Sequence, residues 1–224
     1  MTVAPLLPRR IAGIEVPQDD VSTALWAWAH RVLPKYLLRH SIRAYCWGAS
    51  IGAGEGLAFD RRVLWTASLL HDSALTRITR NTMCFEVEVA EIARRFIERL
   101  GLSAADADRV AIAIILHMRP GVTIEDGAEA VLLDWATAVD VRGEGYELVE
   151  AVRPEVMRSF PRGAFDRRFV AAIRREVAIR PTCQSARLLD QTGLEGWMAR
   201  SPWVTADSVR RSLGRSPRRR PGRG

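Results

Sequence analysis

The sequence is short of cysteine and nearly empty of lysine. Cys46, Cys84 and Cys183 are odd in number, widely spaced and free of any CxxC pair, which suggests neither a disulfide framework nor a cysteine zinc cage. Free thiols, buried or indifferent, are the expectation. Lys35 is the single lysine against thirty-two arginines, which points to coding bias rather than to a binding feature. No apolar run reaches the ~18 residues of a membrane span. The opening stretch MTVAPLLPRRIAGIEVPQDD puts arginines after a short apolar piece, with neither an h-region nor a small-residue cleavage site. A cytoplasmic protein without membrane contact is therefore expected. Strand patterns of useful length and internal repeats are also missing.

At 224 residues, with 48% hydrophobic and 26% charged residues, the chain can bury one core. The expected division is an N-terminal extension over 1–19, a helical core over 20–195 and a C-terminal segment over 196–224. The basic balance looks like a nucleic-acid signal until the charges are located. Arg210, Arg211, Arg215, Arg218, Arg219, Arg220 and Arg223 lie in the last fifteen residues and equal the whole net charge of +7. The excess belongs to a tail expected to be disordered, so beyond a weak contact by that tail no nucleic-acid partner is expected.

Periodicity predicts helices through most of what remains. Asp19 or Asp20 can cap VSTALWAWAHRVL, which Pro34 stops or kinks, and YLLRHSIRAYCWGASI ends at Gly52 or Gly54. Asp60 caps RRVLWTASLLHD. FEVEVAEIARRFIERLG carries an apolar stripe of Phe85, Val89, Ile92, Phe96 and Leu100, and Ser103 starts AADADRVAIAIILHM. GAEAVLLDWATAVDVRG, RGAFDRRFVAAIRREVAIR and TCQSARLLDQTG follow, so the fold class is all-α, a helical bundle.

Against that apolar background a few ionisable residues stand out. His40 sits among Leu37, Ala44 and Trp47 at helical spacing; His71 and Asp72 close the third helix; Asp140 follows Ala136, Ala138 and Val139. Burying a carboxylate alone is costly. A metal ion, a neighbouring cation or water at a helix end can each compensate it. Two imidazoles and two carboxylates around one divalent ion satisfy all four at once and leave room for a water that loses its proton near neutral pH. His71 and Asp72 point about 100° apart on a helix, yet both can reach an ion beyond its C-terminal end.

HSIRAYCWG, LLHDSALT, FEVEVA, IILHMRPG and ATAVDVRG, in that order, resemble the successive motifs of the HD-domain metal-dependent hydrolase superfamily. More narrowly, the chain resembles the cyanamide hydratase-like branch, over roughly residues 20 to 190. The resemblance implies an HD-domain helical bundle in which His40, His71, Asp72 and Asp140 hold one divalent transition metal, zinc in the cyanamide hydratases, with iron or manganese as alternatives. Asp134, six residues earlier and outside the ATAVD match, is the rival for the last place. Ser73 stands where the family has Ile or Leu, and Val89 where it has Gly.

Other residues keep two readings each. His117 is a pocket-lining hydrogen-bond group or a core residue, and as the only histidine between HD and the last Asp it leaves a dinuclear site incomplete. Glu86 carries a favourable N-terminal charge or orients a ligand or water. Arg43, one turn from His40, pairs with an active-site carboxylate or an anionic substrate or lies at the surface, and Thr76 binds substrate or ends a turn. His30 is expected to be structural. The first function expected is addition of water to a nitrile, as cyanamide to urea, with His117 or Glu86 moving the proton and Asp72 at the metal. The alternative is an HD-type phosphohydrolase on a nucleotide or phosphomonoester. A binding protein with a vestigial site is the non-enzymatic reading. A small-molecule substrate is the expected partner, and homo-oligomers are left open.

Overall fold

The computed structural model describes residues 5–76, 83–191 and 193–203. Helices start where a side chain takes up backbone N–H groups that the first turn leaves unpaired. Helix α1 (Asp20–Val32) begins at Asp19, whose carboxylate accepts from the Ser22 amide at 3.0 Å. Pro34 ends α1 and precedes α2 (Lys35–Gly54), the longest helix. The Asp60 carboxylate accepts from the amides of Arg62 and Val63 at the head of α3 (Arg61–Leu70). Then come α4 (Phe85–Arg99), α5 (Ala104–Leu116), capped by Ser103, and α6 (Ala128–Arg142). The C-terminal part adds α7 (Arg153–Ser159), α8 (Phe165–Ile179), the single turn α9 (Gln184–Ala186) and α10 (Leu194–Arg200). A two-residue hairpin, β1 (Arg10–Ile11) with β2 (Ile14–Glu15), precedes α1, so the all-α expectation holds.

The centre of the bundle is the pair α2 and α6. They approach closely because Gly48 has no side chain: a Cβ there would lie 3.1 Å from the Leu132 carbonyl oxygen. Helix α3 packs on α1, α2 and α5, α5 also on α4 and α6, and α8 on α2. Leu37, Trp47, Trp65, Phe85 and Phe165 are fully buried in this core, the aliphatic and phenyl ones each contributing about 1.5–3 kcal/mol relative to exposure.

The core extends beyond both expected boundaries. The Trp26 indole donates to the Pro5 carbonyl at 2.7 Å and the Tyr45 hydroxyl to the Glu15 carbonyl. At the other end Trp203 is buried, stacks on Trp47 and donates to the Val139 carbonyl at 2.7 Å. The arginines Arg210 to Arg223 lie outside the described residues.

The cysteine expectation is corrected. Cys84, just before α4, and Cys183, just before α9, form a disulfide across 99 positions of sequence, while Cys46 is a buried free thiol. Disulfides persist in oxidising compartments and are rare in the cytosol, so cysteine usage no longer argues for a cytoplasmic location. No helix among the described residues is long and apolar enough to cross a membrane. Because the bond closes a long loop, Cys84→Ser is expected to lower the unfolding free energy by about 2–5 kcal/mol. Denaturant unfolding with and without reductant checks this: reductant should reproduce the loss in the wild type and add nothing in the variant.

Candidate metal centre

Two helices end in a histidine at the same place, and the helix end sets the tautomer. His71 follows the last residue of α3 and His117 the last of α5. Each turns its Nδ1 back onto a carbonyl three residues earlier, His71 onto Ser68 at 2.8 Å and His117 onto Ile114 at 2.5 Å. A carbonyl oxygen only accepts, so both Nδ1 atoms carry the hydrogen and both Nε2 atoms present a lone pair. His40, midway along α2, makes the same choice by donating Nδ1–H to Asp140 Oδ2 at 2.7 Å. The negative ends of α3 and α5 favour a cation between these rings.

The lone pairs converge. His40 Nε2 and His71 Nε2 are 3.1 Å apart, and Asp72 Oδ2 lies 3.4 Å from the first and 3.3 Å from the second. All three residues are buried, and Asp72 Oδ2 has no hydrogen-bond partner. Three electron-rich atoms facing one another in a dry interior repel unless a cation lies among them. A proton on His40 relieves one contact, whereas a divalent ion relieves all three. These are the three residues that could hold a metal among the described ones. Burial alone would push the Asp72 carboxyl up, but His71 and His40 hold it well below the usual carboxylate range. Burial likewise opposes charge on His40, and the carboxylates of Asp140 and Asp72 beside the ring outweigh it and raise its pKa.

Asp140 departs from the expected set of four converging ligands. It stands behind His40, on the Nδ1 edge of the ring, and both its oxygens are engaged. Arg43 donates Nε to Oδ1 and NH2 to Oδ2, each at 2.7 Å, and the Trp47 indole donates to Oδ1 at 2.9 Å. Burial would raise the Asp140 carboxyl, but the Arg43 charge and hydrogen bonds hold it far below its usual value. Its countercharge is thus Arg43, and it acts on the site by fixing the His40 ring. For the same reason Arg43 is corrected as a substrate-binding residue. It is fully buried, spent on Asp140 and the Phe160 carbonyl, and lies over the Phe165 ring. Arg162, equally buried, donates to the Asp140 carbonyl and to Asp166.

His117 joins the cluster, its Nε2 3.8 Å from Asp72 Oδ1. Burial, and then the nearby His71, lower its pKa to about 4, so the ring is neutral. A cavity of about 30 Å³ opens beside these groups, walled by His40, His71, Asp72 and His117 together with Thr137, Phe169, Leu188 and Arg142. The last four were missed: Thr137 and Arg142 flank the expected ligand without a motif signal, and Phe169 and Leu188 come from the distant C-terminal part. Thr76 donates to the Ser73 carbonyl at 2.7 Å and ends a turn, away from the cavity wall. Glu86 is buried too, but its charged neighbours are Arg119, Glu176 and Arg180, and burial raises its pKa. Ser73 and the core residue Val89 also lie off the cavity wall. His30 packs on Trp26, as a structural residue would. Asp134 faces a separate cleft with Glu55 and Trp135.

Residues 37–142 match the HD domain family. A bifunctional uridylyltransferase/uridylyl-removing enzyme of Novosphingobium aromaticivorans is 35% identical over an alignment 113 residues long that covers 45% of this chain and 12% of that protein. The chain therefore spans only a small part of the curated relative it matches.

Two outcomes test the centre. Metal analysis should find about one equivalent in the wild type and none in Asp72→Ala. Asp140→Asn should keep the metal with affinity weakened about 10–100-fold, as for a residue behind a ligand, read by competition with a chelating dye. Asp134 gives a pH signature: burial raises its pKa to about 7, against a usual value of 3.8, with Glu144 adding to the rise and Arg142 opposing it. The folded state then holds a proton that the unfolded state has lost, so stability falls as pH rises from about 4 to 7. Asp134→Asn should match the wild type near pH 4 and exceed it at pH 8 in denaturant unfolding.

Proposed function

We propose that the chain is a metal-dependent hydrolase whose ion is held by His40, His71 and Asp72, and that its substrate is a phosphomonoester or nucleotide. The observation that carries this reading is the convergence of three donor atoms, two imidazole Nε2 and one carboxylate oxygen without a hydrogen-bond partner, from residues that line the cavity. Such a set leaves coordination positions free for water and substrate, and zinc, iron and manganese all accept it. When bound, the ion lowers the pKa of water and polarises the group under attack. Asp140 keeps the His40 ring in one orientation and one tautomer. Neutral His117, across Asp72, accepts a hydrogen bond from the attacking water and orients it; with a pKa of about 4 it is a poor store for the proton. Phe169 and Leu188 exclude bulk water from the cavity. The likeness to a protein named for uridylyl removal supports a phosphoester, and so does an arginine on the cavity wall. Glu86 has no part in this mechanism.

Hydration of a nitrile, cyanamide to urea, is the second reading. The cavity of about 30 Å³ favours it, because a molecule of three heavy atoms suits so small a space. It uses the same residues, with the nitrile carbon in place of phosphorus.

Metal-loaded protein assayed for phosphate release from a nucleotide panel, and for urea formation from cyanamide, separates the two. Activity should vanish with chelator and return with metal, and His117→Ala should lower kcat about 100-fold, as for a mispositioned water. Metal-loaded protein that turns over neither substrate class would sink the proposal.

A further inference from the structure

The cavity admits little more than the reacting end of a substrate, so the rest of the molecule must lie outside it, past whatever lines the mouth. Arg142 lines that mouth. It is the last residue of α6, and it also walls an adjoining cleft of about 280 Å³ whose other residues include Trp197, Arg200 and Gly143. Among the described residues lining the metal cavity it is the only cation other than histidine. Arg43 and Arg162, the other arginines near the centre, are buried and committed to Asp140.

Arg142 is held without being spent. Its NH2 and Nε donate at 2.7 and 3.1 Å to one oxygen of Glu144, whose side chain is 69% exposed, and its guanidinium lies 5.3 Å from the centre of the Trp197 ring. An ion pair with so exposed a partner is weak, so a doubly charged phosphate can displace Glu144. Trp197 is 38% exposed and lines the cleft, and Arg200 beside it adds positive charge. An exposed indole face next to two guanidinium groups suits a flat ring carrying a phosphate.

We propose that Arg142 is the specificity-determining residue of this site, binding the non-bridging oxygens of a phosphomonoester whose ring-bearing remainder lies against Trp197 in the adjoining cleft. The inference rests on the phosphoester reading above and adds where the substrate's body goes and which side chain selects it.

Calorimetric titration of the metal-loaded protein with methyl phosphate and adenosine monophosphate tests it, alongside steady-state kinetics. In Arg142→Gln both ligands should bind about 10–100-fold more weakly, the loss of a charge-assisted pair, and KM should rise more than kcat falls. Arg142→Lys should recover part of the affinity. Trp197→Ala should raise the Kd of adenosine monophosphate about 5–10-fold more than that of methyl phosphate, because only the former has a ring to stack. Thermal melts of each variant exclude unfolding as the cause. Equal affinities in wild type and a folded Arg142→Gln would overturn the role of Arg142, and an unchanged ratio in Trp197→Ala the role of the cleft, with phosphoester hydrolysis itself intact. A wild type that neither binds nor hydrolyses phosphomonoesters but hydrates cyanamide would remove the reading on which both rest.

Discussion

Asp140 is a carboxylate fully buried in the bundle, and several parts of the molecule are arranged to answer its charge. Arg43 reaches it from one turn beyond His40 on α2, the Trp47 indole from one turn further, and His40 itself gives it a ring hydrogen. One helix thus supplies three donors at i, i+3 and i+7, all on the face that packs against α6. The backbone carbonyl of the same residue takes Arg162 from the C-terminal part. Breaking a buried pair of this kind costs about 3–5 kcal/mol, because the partner is left charged and dry. The central helix crossing, the orientation of an imidazole in the candidate metal cluster and the docking of the chain after α7 all rest on it.

The other two histidines are set more cheaply. A helix end leaves carbonyls without partners, and a histidine placed just after the last turn can take one with its Nδ1. The backbone then fixes the tautomer, with no dedicated acceptor side chain. His71 and His117 use the same device on α3 and α5, and the ring of one stands edge-on to the other at 4.9 Å. His40 lies in mid-helix, where carbonyls are already used, and so needs Asp140. The difference explains why one imidazole of the three has a carboxylate behind it.

Much of this was legible in the residues. Asp19, Asp60 and Ser103 announced their helices because a cap is a local interaction, and the apolar stripe of α4 among successive apolar helical segments announced the bundle. His71-Asp72 stood out because a charged pair at the end of an apolar helix needs a partner. What could not be read was pairing in space. Arg43, one turn from His40, offered itself as a partner for a carboxylate, but nothing told that the carboxylate would be Asp140 and that an expected ligand would so become a support, or that Cys84 would meet Cys183 across 99 positions. The walls of the cavity from α8 and beyond were hidden for the same reason, since Phe169 and Leu188 look like any other core residues along the chain.

Gly143 ends α6 with a φ of 76°, and a Cβ on it would sit 2.4 Å from Pro202 Cδ. The joint is thus made for a close fit with the strand of chain that carries Trp203 back over Val139. It lies one residue past the end of the stretch that matches the HD domain. Cut out at those limits, the stretch would lose Arg162, Phe165 and Trp203 together, and the fully buried Asp140 would open to solvent on the side away from His71 and Asp72. The unit of homology here is smaller than the unit of packing, so excising or transplanting this module demands the C-terminal wrap as well as the motifs.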